Sequence, residues 1–253
     1  MKKIGIIGGL GPEPTIEYYK IITGHFRRER KRCPRIVIYS MDVDELRDLF
    51  DADRRKDIVK TLFEGIRAIN GAGADFGLIA ANTPHIVFGE LAEISPIPLL
   101  SIVEETLRAI EEKGLRRVGL LGTSFTMRSD LFQRELQPAG IEVFVPNEGE
   151  QEYIQRKIYQ ELTAGDFRGE TREGLLDIVG NLIERHSIEG LILGCTELPL
   201  ILDRDELGIP FLDTARIHAE AAKTQICTGT TDCKHLYSGQ GSSLGPGRGH
   251  PSC

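Results

Sequence analysis

The stretch Leu191-Ile192-Leu193-Gly194-Cys195-Thr196-Glu197-Leu198-Pro199 decides the fold of this chain. An apolar run of strand length ends there in small residues, and a polar pair follows before the expected start of a helix. Leu78-Ile79-Ala80-Ala81-Asn82-Thr83-Pro84-His85 shows the same pattern, earlier in the chain by about the size of one small domain. Such runs are typical of parallel strands that are buried on both faces. We infer a weak internal duplication in which two α/β halves present equivalent turns to a shared cleft.

The rest of the chain alternates in the same way. Short apolar runs predict strands at Lys3–Ile7, Arg35–Ser40, Phe76–Ala80, Leu99–Ile102, Val118–Gly122, Glu142–Val145, Gly190–Gly194 and Pro210–Leu212. Amphipathic runs predict helices at Thr15–Phe26, Asp53–Asn70, Glu104–Glu112, Ser129–Gln137, Gln151–Thr163, Glu170–Arg185 and Ala215–Ala222. This order predicts the α/β class, with parallel sheets flanked by helices and ligands bound beyond the carboxyl ends of the strands. We expect residues 1–97 plus 213–223 to form one domain and residues 98–212 the other.

Composition excludes several classes of protein. The 253 residues carry a formal charge of -7, which argues against nucleic-acid binding because that needs a basic face. No apolar run reaches the length of a membrane helix, and the apolar start of the chain reads as a buried strand, so we expect a cytoplasmic protein. The five cysteines lack metal-site spacing, so no metal is expected. Residues 224–253 are rich in Gly, Ser and Thr and predict a disordered or non-native tail without function.

Cys195 is the residue most suited to chemistry. Amide groups at a tight turn and a following helix are expected to lower the pKa of its thiol, so that it acts as a base or nucleophile. A small buried structural cysteine is the alternative. Asn82 and Thr83, at the equivalent turn, could hold a carboxylate or merely cap a helix.

Further polar candidates follow other predicted strands. The loop from Gly8 to Glu13 could bring N–H groups near an anion, although Pro14 excludes a dinucleotide fingerprint. Thr123 and Thr126 could bind a ligand carboxylate or cap a helix. His85 and His218 could serve as acid–base groups or as hydrogen-bonded structural residues.

Together these segments resemble the aspartate/glutamate racemase superfamily from about residue 1 to about residue 222. The matching motifs are Ile6-Ile7-Gly8-Gly9-Leu10-Gly11-Pro12-Glu13, Thr15-Ile16-Glu17-Tyr18-Tyr19, Ala81-Asn82-Thr83-Pro84-His85, Leu121-Gly122-Thr123-Ser124-Phe125-Thr126-Met127, Gly194-Cys195-Thr196-Glu197 and Asp213-Thr214-Ala215-Arg216-Ile217-His218-Ala219.

The resemblance implies two domains related by a pseudo-twofold axis, with the active site between them, in a homodimer. It implies a cofactor-independent isomerase that takes a small amino acid, with no nucleic-acid or membrane partner. Typical members use two thiols on opposite faces of the substrate's α-carbon, and Cys195 matches the thiol of the second half. Thr83 is assigned to catalysis on the other face. The substrate-binding set assigned here is Gly9, Asn82, Thr83, Thr123, Thr126, Thr196, Glu197 and Arg55.

The sequence departs from the family at two positions. Ala81 stands where the first thiol is expected, and a methyl group carries no proton. Thr163 stands where aspartate-specific relatives tend to have Lys. Arg47, Arg54 or Arg55 could still bind a distal carboxylate, because a guanidinium suits bidentate contacts.

Three functions therefore remain open at this point. The first is an amino-acid racemase for aspartate or glutamate, with Cys195 as main acid/base and Thr83, His85 or water on the other face. The second is a one-thiol lyase, such as a decarboxylase, which Ala81 would suit. The third is a small-molecule binding protein that has lost turnover. The flanking motifs favour the racemase.

Overall fold

The computed structural model describes residues 1–28 and 32–227. Their strands are β1 Ile4–Gly8, β2 Ile36–Ser40, β3 Phe76–Ile79, β4 Leu99–Leu100, β5 Arg117–Leu121, β6 Glu142–Phe144, β7 Gly190–Leu193 and β8 Phe211–Asp213. Their α-helices are α1 Pro12–Arg28, α2 Val43–Asp51, α3 Arg55–Gly71, α4 Phe88–Ile94, α5 Ile102–Glu112, α6 Ser124–Arg128, α7 Gln133–Leu136, α8 Glu148–Gln160, α9 Gly169–His186 and α10 Thr214–Cys227. Each of these strands overlaps a predicted one.

The strands form two parallel sheets of identical connectivity. Their orders are β2-β1-β3-β4 and β6-β5-β7-β8, so β7 takes in the second sheet the place that β3 takes in the first. Strands β1, β3 and β7 are buried along their whole lengths, as their apolar sequences predict. The predicted α/β class with two similar parallel sheets is confirmed.

The helices agree less well with the sequence prediction. Helix α2 was not predicted, although Val43, Leu46 and Phe50 recur at helical spacing, because the helix has only nine residues and its apolar stripe is short. Asp42 caps it, accepting hydrogen bonds from the backbone N–H groups of Asp44 and Glu45. The predicted helix Ser129–Gln137 is also wrong in its extent. Helix α6 precedes it, and only the short α7 lies within it.

Apolar cores cover both faces of the sheets. On one face of the first sheet, Ile4 of β1 lies with Tyr18 and Ile22 of α1. Ala219 and Ala222 of α10 belong to the same core, so the helix that follows the last strand of the second sheet returns to the first half. This return holds the carboxyl ends of both sheets close together.

Two predicted boundaries need correction. Strand β4 pairs with β3 through Gly77 and Leu99, so the first half extends to Leu100 rather than ending at residue 97. Helix α10 continues to Cys227, with Ile226 fully buried, because its last turn packs into the first core. Residues 224–227 are therefore helical, and the rest of the predicted tail, 228–253, lies outside the described residues. We propose the two-domain division with these adjusted limits.

Across residues 1–28 and 32–227, no helix has both the length and the apolar character that crossing a bilayer requires.

Candidate active site

Cys195 lies at the carboxyl end of β7, inside the second half. Gly194 permits this turn, because a Cβ at that position would lie 2.8 Å from Leu120 Cδ1 and 3.1 Å from the Leu121 carbonyl oxygen. The chain then enters a three-residue 3-10 turn, Leu198–Leu200. The Cys195 side chain is only 7% exposed. The protein therefore encloses this thiol almost completely.

Glu197 is the immediate partner of the thiol. The Cys195 Sγ donates to Glu197 Oε2 at 3.0 Å, and the Thr196 hydroxyl donates to the same oxygen at 2.9 Å. The first half also reaches this carboxylate, since a Cβ at Gly11 would lie 3.5 Å from Glu197 Oε1. Glu197 thus sits where both halves meet and can receive the thiol proton.

The electrostatics of Cys195 differ from the expectation of a lowered pKa. Burial raises the pKa of the thiol well above its ordinary value, and the negative charge of Glu197 raises it further. The backbone N–H groups of Glu197 and Thr196 act in the opposite direction but are outweighed. A three-residue 3-10 turn also supplies little helix dipole. The resting thiol is therefore protonated, and its deprotonation depends on an acceptor such as Glu197.

The first-half turn is tied directly to the end of β7. Asn82 Nδ2 donates to the Thr214 hydroxyl at 3.1 Å, and that hydroxyl donates to the Leu193 carbonyl oxygen at 3.0 Å. Because the single hydroxyl proton goes to Leu193, Thr214 must accept from Asn82, which fixes the amide orientation. Asn82 is 4% exposed, and its Oδ1 has no partner among the described residues. A buried acceptor of this kind suits the ammonium group of a ligand.

Thr83 and His85 follow Asn82 and differ in whether their side chains have hydrogen-bond partners. Thr83 is half-buried, and its hydroxyl has no hydrogen-bond partner in the described part of the chain. His85 Nδ1 lies 2.9 Å from the Ala81 carbonyl oxygen, while its Nε2 accepts from Ile102 N–H at 3.1 Å. Burial lowers the pKa of His85 to about 4. His85 is therefore a neutral structural residue, which corrects its suggested role as an acid–base group.

His218 is held in the same manner. Its Nδ1 is 2.9 Å from the Tyr18 hydroxyl and its Nε2 is 3.0 Å from the Leu100 carbonyl oxygen. Burial lowers its pKa to about 3, and the neighbouring His85 adds to the effect. Both histidines fix the junction between the halves rather than exchange protons with a ligand.

Thr123 and Thr126 stand at the turn after β5, next to the cysteine turn. Their hydroxyl oxygens are 3.1 Å apart, and Thr123 caps α6 by accepting from Thr126 N–H at 3.4 Å. A Cβ at Gly122 would lie 3.2 Å from the Gly194 carbonyl oxygen. The turn that carries the threonine pair therefore lies next to the turn that carries Cys195.

Gly9 shapes the loop after β1. Its φ is +78°, and a Cβ there would lie 2.5 Å from both the Met41 carbonyl oxygen and Ser40 Oγ. Its N–H donates to the Thr15 hydroxyl at 3.0 Å. Gly9 thus holds the loop shape, while its N–H is already used within the loop.

The guanidinium of Arg55 is already engaged in an ion pair with Glu90. Its Nε and Nη2 donate to the two carboxylate oxygens of Glu90 at 2.8 and 2.9 Å, and Nη2 also reaches the Ile86 carbonyl oxygen at 2.9 Å. This bidentate pair occupies the guanidinium fork. The geometry argues against the predicted role of Arg55 in binding a distal carboxylate.

Helix α2 supplies contacts that sequence reasoning missed. Phe50 meets Phe125 of α6 edge-on, with ring centroids 5.4 Å apart. The Arg47 guanidinium lies 5.9 Å from the centre of the Tyr159 ring on α8 and pairs with Asp44 at 2.6 Å. These contacts place α2 across the opening between the halves. The capping residue Asp42 and the helical spacing of Leu46 and Phe50 were the available signals for this helix.

No cluster of three or more metal-ligating side chains occurs within the described ranges. The polar group that contacts the Cys195 thiol is instead the Glu197 carboxylate, which the Thr196 hydroxyl also contacts.

Comparisons with known proteins agree with this arrangement. The sequence model of the Asp/Glu/Hydantoin racemase family matches residues 7–222. The broad-specificity amino-acid racemase RacX of Bacillus subtilis is 27% identical over 235 residues, which are 89% of this chain and 97% of that protein. An aspartate racemase homologue from Pyrococcus horikoshii is 35% identical, with a TM-score of 0.78, over 89% of this chain and 99% of that one.

The aspartate racemase of Picrophilus torridus is 25% identical, with a TM-score of 0.69, over 89% of this chain and 94% of that one. The family match spans both sheets and both turns. The chain therefore belongs to the Asp/Glu/Hydantoin racemase family and, as an amino-acid racemase, is an isomerase.

Proposed function

We propose that this chain interconverts the enantiomers of an acidic amino acid, aspartate or glutamate, without a cofactor and with Cys195 as main acid–base group. The observation that carries the proposal is the 3.0 Å hydrogen bond from the Cys195 thiol to Glu197 in a buried turn. Relatives that are glutamate and aspartate racemases support the substrate class.

Proton abstraction begins with transfer of the Cys195 proton to Glu197. The thiolate then removes the α-proton of the substrate, and the electron pair of the broken C–H bond moves into the α-carboxylate. A raised thiol pKa makes the thiolate scarce but strongly basic once formed. The neutral Glu197 that results removes the negative charge which opposed the thiolate.

Substrate binding is assigned to the groups around the thiol. The unpaired Asn82 Oδ1 accepts from the α-ammonium group. The hydroxyls of Thr83, Thr123, Thr126 and Thr196, with nearby backbone N–H groups, hold the α-carboxylate as charge develops on it. Such preorganised donors stabilise a carbanion more than they stabilise the bound substrate.

The return of a proton to the opposite face falls to Thr83 or to a bound water. Ala81 offers only a methyl group there, whereas the Thr83 hydroxyl is free of other partners. A hydroxyl is a weak acid and base compared with a thiol, so we expect slow turnover in both directions.

A distal carboxylate is assigned to Arg47. All three arginines considered from the sequence have a carboxylate partner, Arg47 with Asp44, Arg54 with Asp57 and Arg55 with Glu90. Arg47 differs in that its guanidinium also lies over the Tyr159 ring of the second half. The arrangement keeps one guanidinium at the opening between the halves. Arg47 is therefore the better candidate for an acidic side chain.

The test is chiral chromatography of L- and D-aspartate and L- and D-glutamate after incubation with the protein. We expect each enantiomer to yield its mirror image, and the Cys195→Ala variant to yield none. Cys33→Ala is the matched control, because Cys33 is an exposed free thiol outside the site. Release of CO₂, or no conversion of any amino acid by the folded wild type, would contradict the proposal.

A further inference from the structure

Residues of both halves line a cavity of about 470 Å³ that is separate from the candidate active site. The first half contributes α4 and the 3-10 turn before it, and the second half contributes the first turn of α5 and part of α7. Cys195, Asn82 and Glu197 do not line it. Small-molecule sites in proteins occupy about 300–1,000 Å³, so this space is large enough for a ligand. We call it the junction cavity.

The charges in the junction cavity do not cancel. Four carboxylates and two guanidinium groups line it. Each guanidinium already has a carboxylate partner, at 2.8 Å and 3.3 Å. The two remaining carboxylates, Glu93 and Glu104, are exposed and have no ion-pair partner among the described residues. The surplus of negative charge favours a ligand that carries an ammonium group.

The start of α5 supplies unused hydrogen-bond donors to the same cavity. Ser101 is 4% exposed, and its hydroxyl oxygen accepts from Glu104 N–H at 3.3 Å, but its proton has no acceptor within the described ranges. The N–H of buried Val103 likewise donates to no described group. Buried donors without an acceptor are uncommon in proteins. At the N-terminus of this 11-residue helix, they favour a carboxylate.

One ligand can use both kinds of group. The donors of Ser101 and Val103 and the carboxylate of Glu104 belong to a single helical turn, and an α-amino acid carries its carboxylate and ammonium groups on one carbon. Apolar side chains, among them Ile86 and Phe88, also line the cavity. The surplus of carboxylates opposes an acidic side chain. The groups present therefore fit an α-amino acid whose side chain is uncharged and apolar.

The wall of the junction cavity is held in place before any ligand binds. His85 Nε2 accepts from Ile102 N–H at 3.1 Å, so the proton on Nδ1 is donated to the Ala81 carbonyl oxygen at 2.9 Å. The Phe88 ring stacks on the His85 ring, with centroids 5.1 Å apart. These contacts join the first half to the start of α5. Because little has to be ordered on binding, the free-energy cost of association is reduced.

We propose that the junction cavity binds an α-amino acid with an uncharged apolar side chain, at a second site distinct from the cleft at Cys195. The ligand carboxylate accepts from the Ser101 hydroxyl and from Val103 N–H. The ligand ammonium group donates to Glu104, and the apolar side chain lies against Phe88. This binding is independent of the reaction at Cys195.

The experiment is isothermal titration calorimetry of the full chain with L-methionine. The wild type should bind with a Kd of about 1 mM or less, which is within reach of a ligand of this size. Gly89→Leu should abolish binding. Gly89 lines the cavity on α4, and a Cβ there would meet nothing within 4 Å, so the new side chain fits and takes the space of the ligand. Glu104→Gln should raise the Kd by about tenfold, because a charged hydrogen-bond acceptor is lost.

The matched control for the cavity-filling variant is Gly180→Leu. Gly180 lies within α9 and outside the cavity, and a Cβ there would also meet nothing within 4 Å, so this variant should bind as the wild type does. Circular dichroism of each variant shows whether it has folded.

Asn82→Ala separates the junction cavity from the active site. This variant should keep the wild-type Kd for L-methionine, because Asn82 belongs to the cleft at Cys195. No binding by the folded wild type, unchanged binding in folded Gly89→Leu, or loss of binding in folded Asn82→Ala would overturn the proposal. The titration does not involve racemisation, so a failure of L-methionine to bind would leave the proposed reaction at Cys195 unaffected.

Discussion

The turn after β3 and the turn after β7 occupy equivalent places in two sheets of the same connectivity. In the second turn, Cys195 and Glu197 form a hydrogen-bonded acid–base pair. In the first turn, Ala81 carries a methyl group, and Asn82 offers an unpaired carbonyl oxygen. The comparison teaches that two halves of the same strand connectivity carry different chemical groups at equivalent turns. The proposed function assigns proton transfer mainly to the second turn and substrate binding to the first.

The largest expected effect comes from removing the thiol. Cys195→Ala should lower the racemisation rate by about 10³-fold or more, because positioned acid–base groups contribute on that order. Initial rates from both enantiomers measure it, with Cys33→Ala expected to keep the wild-type rate. Comparable rates in Cys195→Ala and wild type would show that the main base lies in the first turn rather than in the second.

Removing the partner of the thiol should act in two ways. Glu197→Gln should slow racemisation by roughly 10²-fold, because the acceptor of the thiol proton is lost. It should also lower the pKa of Cys195, because the charge that helps to raise it is gone. Alkylation of the peptide containing Cys195, followed by mass spectrometry across pH, measures the second effect. If the variant is slower but the Cys195 thiol has the same pKa as in wild type, the proposed effect of Glu197 on that pKa is wrong.

Restoring a thiol in the first turn would sharpen the comparison. Ala81→Cys should raise kcat/KM in both directions of racemisation by about tenfold, because a thiol transfers protons better than a hydroxyl or water. Full progress curves from both enantiomers give the two rates. Ala81→Ser is the control that adds an oxygen of similar size. An equal gain in both variants would show that acidity on this face does not limit the rate.

Weakening the binding role of the first turn should change affinity more than chemistry. Asn82→Ala should raise KM by about tenfold to a hundredfold, the range expected when a hydrogen bond to a charged group is lost. The effect on kcat should be smaller, since Cys195 and Glu197 remain. A kcat loss as large as that of Cys195→Ala, with KM unchanged, would assign Asn82 to catalysis instead.

The smallest effect on activity near neutral pH concerns the histidines that brace the junction. The folded-state pKa values of His85 and His218 are about 4 and about 3, below their ordinary value of 6.5. Below about pH 6.5 these two histidines bind protons in the unfolded chain but remain neutral in the folded chain. The free energy of unfolding should therefore be intact above that pH and fall as the pH drops towards 4.

Urea unfolding at pH 7 and at pH 5 measures this loss, which should be on the order of a few kcal/mol. His218→Gln should show a shallower pH dependence, because one titrating group is gone. An identical slope in variant and wild type would show that His218 is not the group responsible.

Much of the fold could be predicted because its signals are local. The buried strands are visible in the sequence as apolar runs such as Gly190–Leu193, and their alternation with helices indicates the α/β fold class. Helix α2 and the boundary after Leu100 were missed. Helix α2 has nine residues, and its apolar stripe is too short to stand out in the sequence. The boundary depends on a strand of two residues that only its pairing with β3 defines.

The turns that carry the candidate residues could be predicted from the sequence, but the electrostatics of these residues could not. Cys195, Asn82 and the threonines lie at the turns that the pattern indicated. The raised pKa of Cys195 follows from burial and from the rotamer that brings Glu197 within 3.0 Å, and neither can be read from spacing. The pairing of Arg55 with Glu90, distant in sequence, is a tertiary contact of the same kind.

The division of chemistry between the turns is tested most directly by exchange of the substrate α-proton in D₂O, followed by NMR. Wild type and Ala81→Cys should incorporate deuterium into aspartate or glutamate, and Cys195→Ala should incorporate none. Both the remaining substrate and its mirror image should carry deuterium in the wild type. Undiminished exchange in Cys195→Ala, or its loss in Cys33→Ala alone, would contradict the assignment of Cys195 as the base.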